Sequence, residues 1–236
     1  MAAAEVPVTP AEKTTIDRTR SATVQIFEHL LQDIVTLQLK PGESISIPAL
    51  SRRFGTSRSP VREALIRLVN AGLVETFPQS GTRVSPIRME EVREVCFVRQ
   101  AIEVALVETL ASQGDASHCR MLMRIIDQQQ KYQGTNTVRE FYGFDEMFHQ
   151  KIAELADYPN VWRLMQNHQY QMNRLRYLVV PIPSRSTQII DEHTAIVEGI
   201  ATKEPDKARV AMLHHLKQVF VMQKVLQKQY PDYFDA

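Results

Sequence analysis

The stretch Leu50-Ser51-Arg52-Arg53-Phe54-Gly55-Thr56-Ser57-Arg58-Ser59-Pro60-Val61-Arg62-Glu63-Ala64-Leu65 decides how this 236-residue chain is read. A short helix near Pro48 to Phe54 is broken by Gly55. A second helix begins near Ser57 or Ser59, either a good N-cap, with Pro60 tolerated in its first turn. Val61, Leu65, Leu68 and Val69 give that second helix one apolar face, and Ala71-Gly72 ends it. Between Ser51 and Arg67 stand five arginines (Arg52, Arg53, Arg58, Arg62, Arg67) and one acid (Glu63), a local charge of +4 in 17 residues. Arg58 and Arg62, four apart, share a face other than the apolar one.

Outward from this stretch, Val24, Phe27, Leu30, Leu31, Ile34 and Leu37 recur at helical spacing, with Pro41-Gly42 as the stop. Downstream, Leu73 to Phe77 and Thr82 to Ser85 read as short strands around Pro78-Gln79-Ser80-Gly81. Helix, helix, tight turn, helix, hairpin is the outline of a winged helix-turn-helix. In that outline Arg58 and Arg62 sit where side chains fork onto guanine edges in the major groove of double-stranded DNA. Arg52, Arg53, Thr56 and Ser57 sit where phosphates are held, Ser59 counts with them among the DNA-binding candidates, and the wing tip Ser80-Gly81 can approach the backbone or minor groove.

Composition narrows the class. Charge is balanced at +1, which excludes a wholesale polycation, and no apolar run approaches the ~20 residues of a bilayer span. Met1 to Thr15 has no apolar core of a secretory signal, and Cys96 and Cys119 form no C-x-x-C pair, so reduced thiols in a cytoplasmic protein are expected. Residues 1–87 hold 10 basic and 8 acidic side chains, and residues 88–236 hold 18 and 19. No proline occurs between Ile87 and Tyr158. These shifts predict a mobile tail (1–17), a winged helix-turn-helix (18–86) and an all-α six-helix bundle (87–236), with helices near 89–113, 116–133, 137–156, 160–180, 186–202 and 205–229. The fold class is mainly α.

The quoted stretch, with Gly72-Leu73-Val74 and Gly81-Thr82-Arg83-Val84, closely resembles the GntR family of bacterial transcription regulators. The remainder resembles the FCD effector domain of the FadR subfamily, in its six-helix VanR-like layout; together the likeness covers about residues 20–229. The resemblance implies that Arg58 and Arg62 contact bases and that a wing residue beside Gly81 contributes. It also implies a homodimer on a pseudo-palindromic operator. Pro48 stands where many members carry a DNA-contacting arginine, so no operator sequence transfers from a relative.

In the helical half, polar residues interrupt apolar stripes. Asp145 and His149 border Phe141, Phe144, Phe148, Ile152 and Leu155. His193 replaces an apolar residue between Ile189 and Ile196, and His215 does so between Met212 and Val219, while His214 falls on the polar side. One carboxylate and three imidazoles suit a divalent metal, zinc first, nickel or manganese nearly as well. The resemblance points the same way, because FCD domains commonly bind metal through Asp-x-x-x-His and two later histidines, which here match Asp145, His149, His193 and His215.

Arg99 stands inside the stripe of the first long helix and needs a carboxylate, either Glu103 or an anionic effector such as a small carboxylate or sugar acid. His168 reads as core, and Arg174, Arg176 and Tyr177 as either an anion pocket or a solvated face. The expected activity is regulation of transcription, not catalysis. Two alternatives are a metallohydrolase fused to a DNA-binding module and a dimeric DNA-binding protein without sensing. Against the first, no H-E-x-x-H occurs, and Glu146 and Glu192 merely adjoin the histidine set.

Overall fold

The computed structural model describes residues 14–133, 137–166, 169–179, 181–182 and 184–235. Contacts divide the chain into one unit ending at Pro86 and another starting at Ile87.

In the first unit α1 (Ala22–Val35) packs on α3 (Arg58–Asn70), with α2 (Ile47–Phe54) between them in sequence. The buried face of α1 is Thr23, Ile26, Leu30 and Ile34, so Val24 and Phe27 are only partly covered. The helix stops at Val35, before Pro41-Gly42, because Leu37 adopts φ 61°. Gly55 caps α2 at φ 60°, where the Thr56 amide donates back to the Ser51 carbonyl at 3.0 Å. That left-handed residue makes the turn tight, which is what glycine permits. Ser57 is the N-cap of α3, and Val61, Ala64, Leu65 and Leu68 are its buried face.

The hairpin β2 (Val74–Phe77) and β3 (Gly81–Val84) is joined by β1 (Ser44–Ile45) in the order β1-β3-β2, all antiparallel. The two-residue β1 was too short to carry an alternating pattern. Residues 1–13 of the expected tail lie outside the described residues, whereas Thr14 and Asp17 are held: the Thr14 amide donates to the Arg53 carbonyl, and the Asp17 amide to Gln25 Oε1.

The second unit is helical: α4 (Met89–Gln113), α5 (Ala116–Gln130), α6 (Val138–Leu155), α7 (Pro159–Gln166), α8 (Tyr170–Val179), α9 (Arg185–Ala201), α10 (Pro205–Val221) and α11 (Gln223–Gln229). Two of the six expected helices are therefore divided. The expected 160–180 segment ends its first part at Gln166 and restarts at Tyr170, and the last segment divides at Met222. Apolar periodicity continues across such breaks, so it does not reveal them. Asp115 caps α5 by accepting from the Ser117 and His118 amides; the Ser117 hydroxyl, which also donates to it, and then these amides hold its carboxyl down to about 2.

Helix α10 lies against both α4 and α9, and α5 lies against α6 and α9. Leu106, Leu110, Phe141, Phe148, Ile196 and Met212 are among the residues of the main core. A smaller cluster of Val92, Met172, Leu175 and Leu226 is closed by the Ile87 amide donating to the Tyr233 carbonyl at 2.7 Å.

Candidate functional site

The DNA-facing candidates lie on α2, α3 and the wing. Arg52, Ser57, Arg58, Ser59, Arg62, Ser80 and Gly81 are exposed. Arg58 and Arg62 stand one turn apart on the side of α3 away from Val61 and Leu65. Arg53 is placed otherwise than its phosphate assignment expects. Its Nη1 donates to Asp33 Oδ2 at 2.6 Å, and its guanidinium sits 5.0 Å from the Phe54 ring centroid. A neighbouring helix supplies a fixed carboxylate, which sequence distance concealed. Thr56 is half-buried, its hydroxyl oxygen shielded and its amide spent on the α2 cap.

In the helical unit, Asp145 and His149 project from one face of α6 because they are four apart, and α9 and α10 each contribute an imidazole from within an apolar stripe. The structure brings these side chains together: one potential ligand atom from each of Asp145, His149, His193 and His215 lies within 4.8 Å of the others, and all four residues are buried.

The partners of the imidazoles fix which nitrogen faces the centre. His149 Nδ1 lies 2.6 Å from Glu103 Oε2, and His215 Nδ1 lies 2.7 Å from Glu192 Oε2. His193 Nδ1 lies 2.9 Å from the amide oxygen of Gln129, whose nitrogen donates to the Phe141 carbonyl. The oxygens of Gln129 and Glu192 favour the proton on Nδ1 of His193 and His215 and the Nε2 lone pairs inward, and the Glu103 carboxylate beside His149 Nδ1 favours the same arrangement there. His149 Nε2 and His215 Nε2 then face one another at 3.2 Å, and His193 Nε2 stands 3.5 Å from Asp145 Oδ1. Among the described residues neither His193 Nε2 nor Asp145 Oδ1 has a hydrogen-bond partner. Phe148 stacks on the His193 ring at 4.1 Å between centroids.

Electrostatics keep the set in ligand-competent form. Burial opposes ionisation of Asp145, but the Arg176 guanidinium, paired with its Oδ2, holds it well below the usual carboxylate range. Burial likewise opposes ionisation of Glu103, and Arg99 and His149 outweigh it. Burial pushes His193 and His215 well below 6.5, so both are neutral near pH 7. One carboxylate oxygen and three imidazole nitrogens converging in a buried site fit a divalent cation, which would relieve the repulsion of their lone pairs.

Beside the quartet is a cavity of about 30 Å³ whose lining includes Arg99, Tyr142, Asp145, Arg176, Arg185 and His215. Arg99 Nε donates to Glu103 Oε1 at 2.5 Å, settling that part of its expected pairing, while its Nη2 has no hydrogen-bond partner among the described residues. Arg176 Nη1 also has none. Arg174 is buried and bonds Gln171, while Tyr177 is half-buried; neither belongs to the cavity lining. His168 lies outside the described residues.

Sequence reading passed over Gln129, treated Glu192 as a mere neighbour of the ligand set and left Arg185 unnoticed. Arg185 and Glu192, seven apart on one helix, were the only available signal. Among the described residues no helix is long and apolar enough to cross a membrane.

Comparison with known proteins places both units. Residues 22–84 match the bacterial regulatory proteins of the gntR family, and residues 94–218 match the FCD domain. The HTH-type transcriptional repressor RspR of Escherichia coli (strain K12) is 31% identical over 222 residues, covering 94% of this chain and 97% of RspR. An uncharacterized HTH-type transcriptional regulator in an unstable DNA locus of Streptomyces ambofaciens is 32% identical over 196 residues, covering 83% and 82%. Two solved structures share the fold at 20% identity: E. coli McbR/YncC (TM-score 0.69, covering 89% of this chain and 99% of that one) and a GntR regulator from Rhodococcus sp. RHA1 (0.70, 88% and 98%). These relatives are regulators, which sets the metallohydrolase reading aside. The chain belongs to the GntR family of transcriptional regulators and carries an FCD domain.

Proposed function

We propose that this chain is a metabolite-responsive cytoplasmic regulator that grips a pseudo-palindromic operator as a homodimer. Arg58 and Arg62 of each copy read base edges, while Arg52, Ser57, Ser59 and the wing tip Ser80-Gly81 position the backbone. Asp145, His149, His193 and His215 would hold a divalent metal, zinc first and nickel or manganese as alternatives. Bound there, the metal would offer its remaining coordination positions to an anionic ligand. The observation that carries this reading is the convergence of four buried side chains whose potential ligand atoms lie within 4.8 Å of one another.

The effector class follows from the cavity wall. Arg99 Nη2 and Arg176 Nη1 are buried donors beside the quartet without hydrogen-bond partners among the described residues, which suits a small carboxylate or sugar acid. At about 30 Å³ the cavity holds roughly two waters, so a larger effector must displace side chains to enter. Such displacement gives the effector different affinities for two arrangements, the requirement for any shift in operator binding.

The test is fluorescence anisotropy of operator DNA from the protein's own promoter region, alongside elemental analysis. We expect near-stoichiometric metal, and operator affinity that responds to one of a panel of organic acids only when metal is present. Metal-free protein with unaltered operator binding across the panel refutes the sensing half and leaves a dimeric DNA-binding protein.

A further inference from the structure

Glu103 meets Arg99 through Oε1 and His149 through Oε2, whereas Glu192 meets an arginine and an imidazole on one oxygen. Arg185, the first residue of α9, grips both of its oxygens, Nη1 to Oε1 at 2.5 Å and Nη2 to Oε2 at 3.0 Å. Oε2 is also the oxygen that faces His215 Nδ1 at 2.7 Å. The three groups are buried, and Arg185 and His215 both line the cavity. One carboxylate oxygen thus serves a cavity guanidinium and an imidazole of the quartet at once.

We propose that Glu192 is a positioning residue of the metal centre and that Arg185 competes with His215 for its charge. This rests on the reading of Asp145, His149, His193 and His215 as metal ligands. A carboxylate that accepts from Nδ1 holds the ring's orientation and raises the donor strength of Nε2. A guanidinium on the same oxygen draws that charge away. The hold of the quartet on a metal is therefore set from the cavity wall. Anything that takes Arg185 off Glu192 strengthens His215 as a ligand.

The two variants Glu192→Gln and Arg185→Gln separate this from a scaffold role because they move metal affinity in opposite directions. Full-length protein is titrated with Zn(II) in competition with a chelator, and with Co(II) to read the visible spectrum of the centre. Glu192→Gln should bind about 10–100-fold more weakly, with an altered Co(II) spectrum. Arg185→Gln should bind several-fold more tightly, and Glu198→Gln, an exposed position on the same helix, should match wild type. Melting of chelated protein reports folding. Should Arg185→Gln not fold, Arg185→Lys, which cannot grip both oxygens as a fork, takes its place with the same expected direction.

Glu192→Gln within twofold of wild type overturns the proposal. So does equal weakening by both variants, which would make the pair scaffold alone. A wild-type protein that binds no metal refutes the metal-centre reading instead, a separate result.

Discussion

Gly199→Ala tests the packing that presents two of the imidazoles. A Cβ at Gly199 of α9 would stand 2.6 Å from the Ala208 nitrogen and 2.7 Å from its Cα on α10, against the 3.4 Å of ordinary contact. The obstacle is backbone, which no rotamer change relieves, so the helices must part by roughly 0.8 Å. Overpacking of this kind costs about 1–3 kcal/mol. Up to about 1 kcal/mol returns from the better helix propensity of alanine. Because backbone cannot move aside, the overpacking cost falls in the upper part of its range, about 2–3 kcal/mol, so the net loss is about 1–2 kcal/mol, or a fall of about 2–8 °C in melting temperature for a unit of this size. The contact lies about two turns from His193 and His215, whose ring centroids are 4.7 Å apart. Metal sites tolerate shifts of about 0.2 Å, so metal affinity falls as well. Calorimetry of chelated protein followed by Zn(II) competition measures both. A melting temperature equal to or above wild type would refute the reasoning, because propensity would then outweigh a contact that yields without cost.

Arg62→Ala should cost about 1–3 kcal/mol on cognate DNA and relax base preference, read by anisotropy against a random duplex; equal losses on both would contradict base reading. Arg53→Ala, given its bond to Asp33, should lower the stability of the winged unit by at most about 1 kcal/mol and leave the salt slope of DNA binding unchanged. His193→Ala should lower bound metal in elemental analysis while operator affinity without effector is kept; full occupancy would remove His193 from the centre. Chelated protein should lose stability as pH falls below about 6.5. There the unfolded chain protonates His193 and His215 while burial keeps them neutral in the fold, a contribution fully present above that pH. A flat denaturation midpoint between pH 7.5 and 5.5 would contradict it.

Local spacing was enough for much of the candidate site. Asp145 and His149 are four apart on one helix, and His193 and His215 each occupy a slot where the apolar stripe demands inward side chains. Spacing also separated His214, which is exposed, from His215, which is buried. It missed Ile26 in favour of Val24 and Phe27, because crowding of apolar residues on α1 allows more than one stripe to be drawn. The break at Gln169, before α8, and the two-residue β1 escaped for lack of length.

The amino-acid order by itself determined the family, the winged helix-turn-helix and the four inward ligand candidates, since each depends on contacts within a few residues along one helix or hairpin. Tertiary structure alone decided that Arg53 belongs to Asp33, that Glu103, Gln129 and Glu192 set the imidazole tautomers, and that guanidiniums line the cavity. Those pairings join residues from different helices or successive turns. Which carboxylate an arginine meets is settled by how the helices cross and not by their order in the chain.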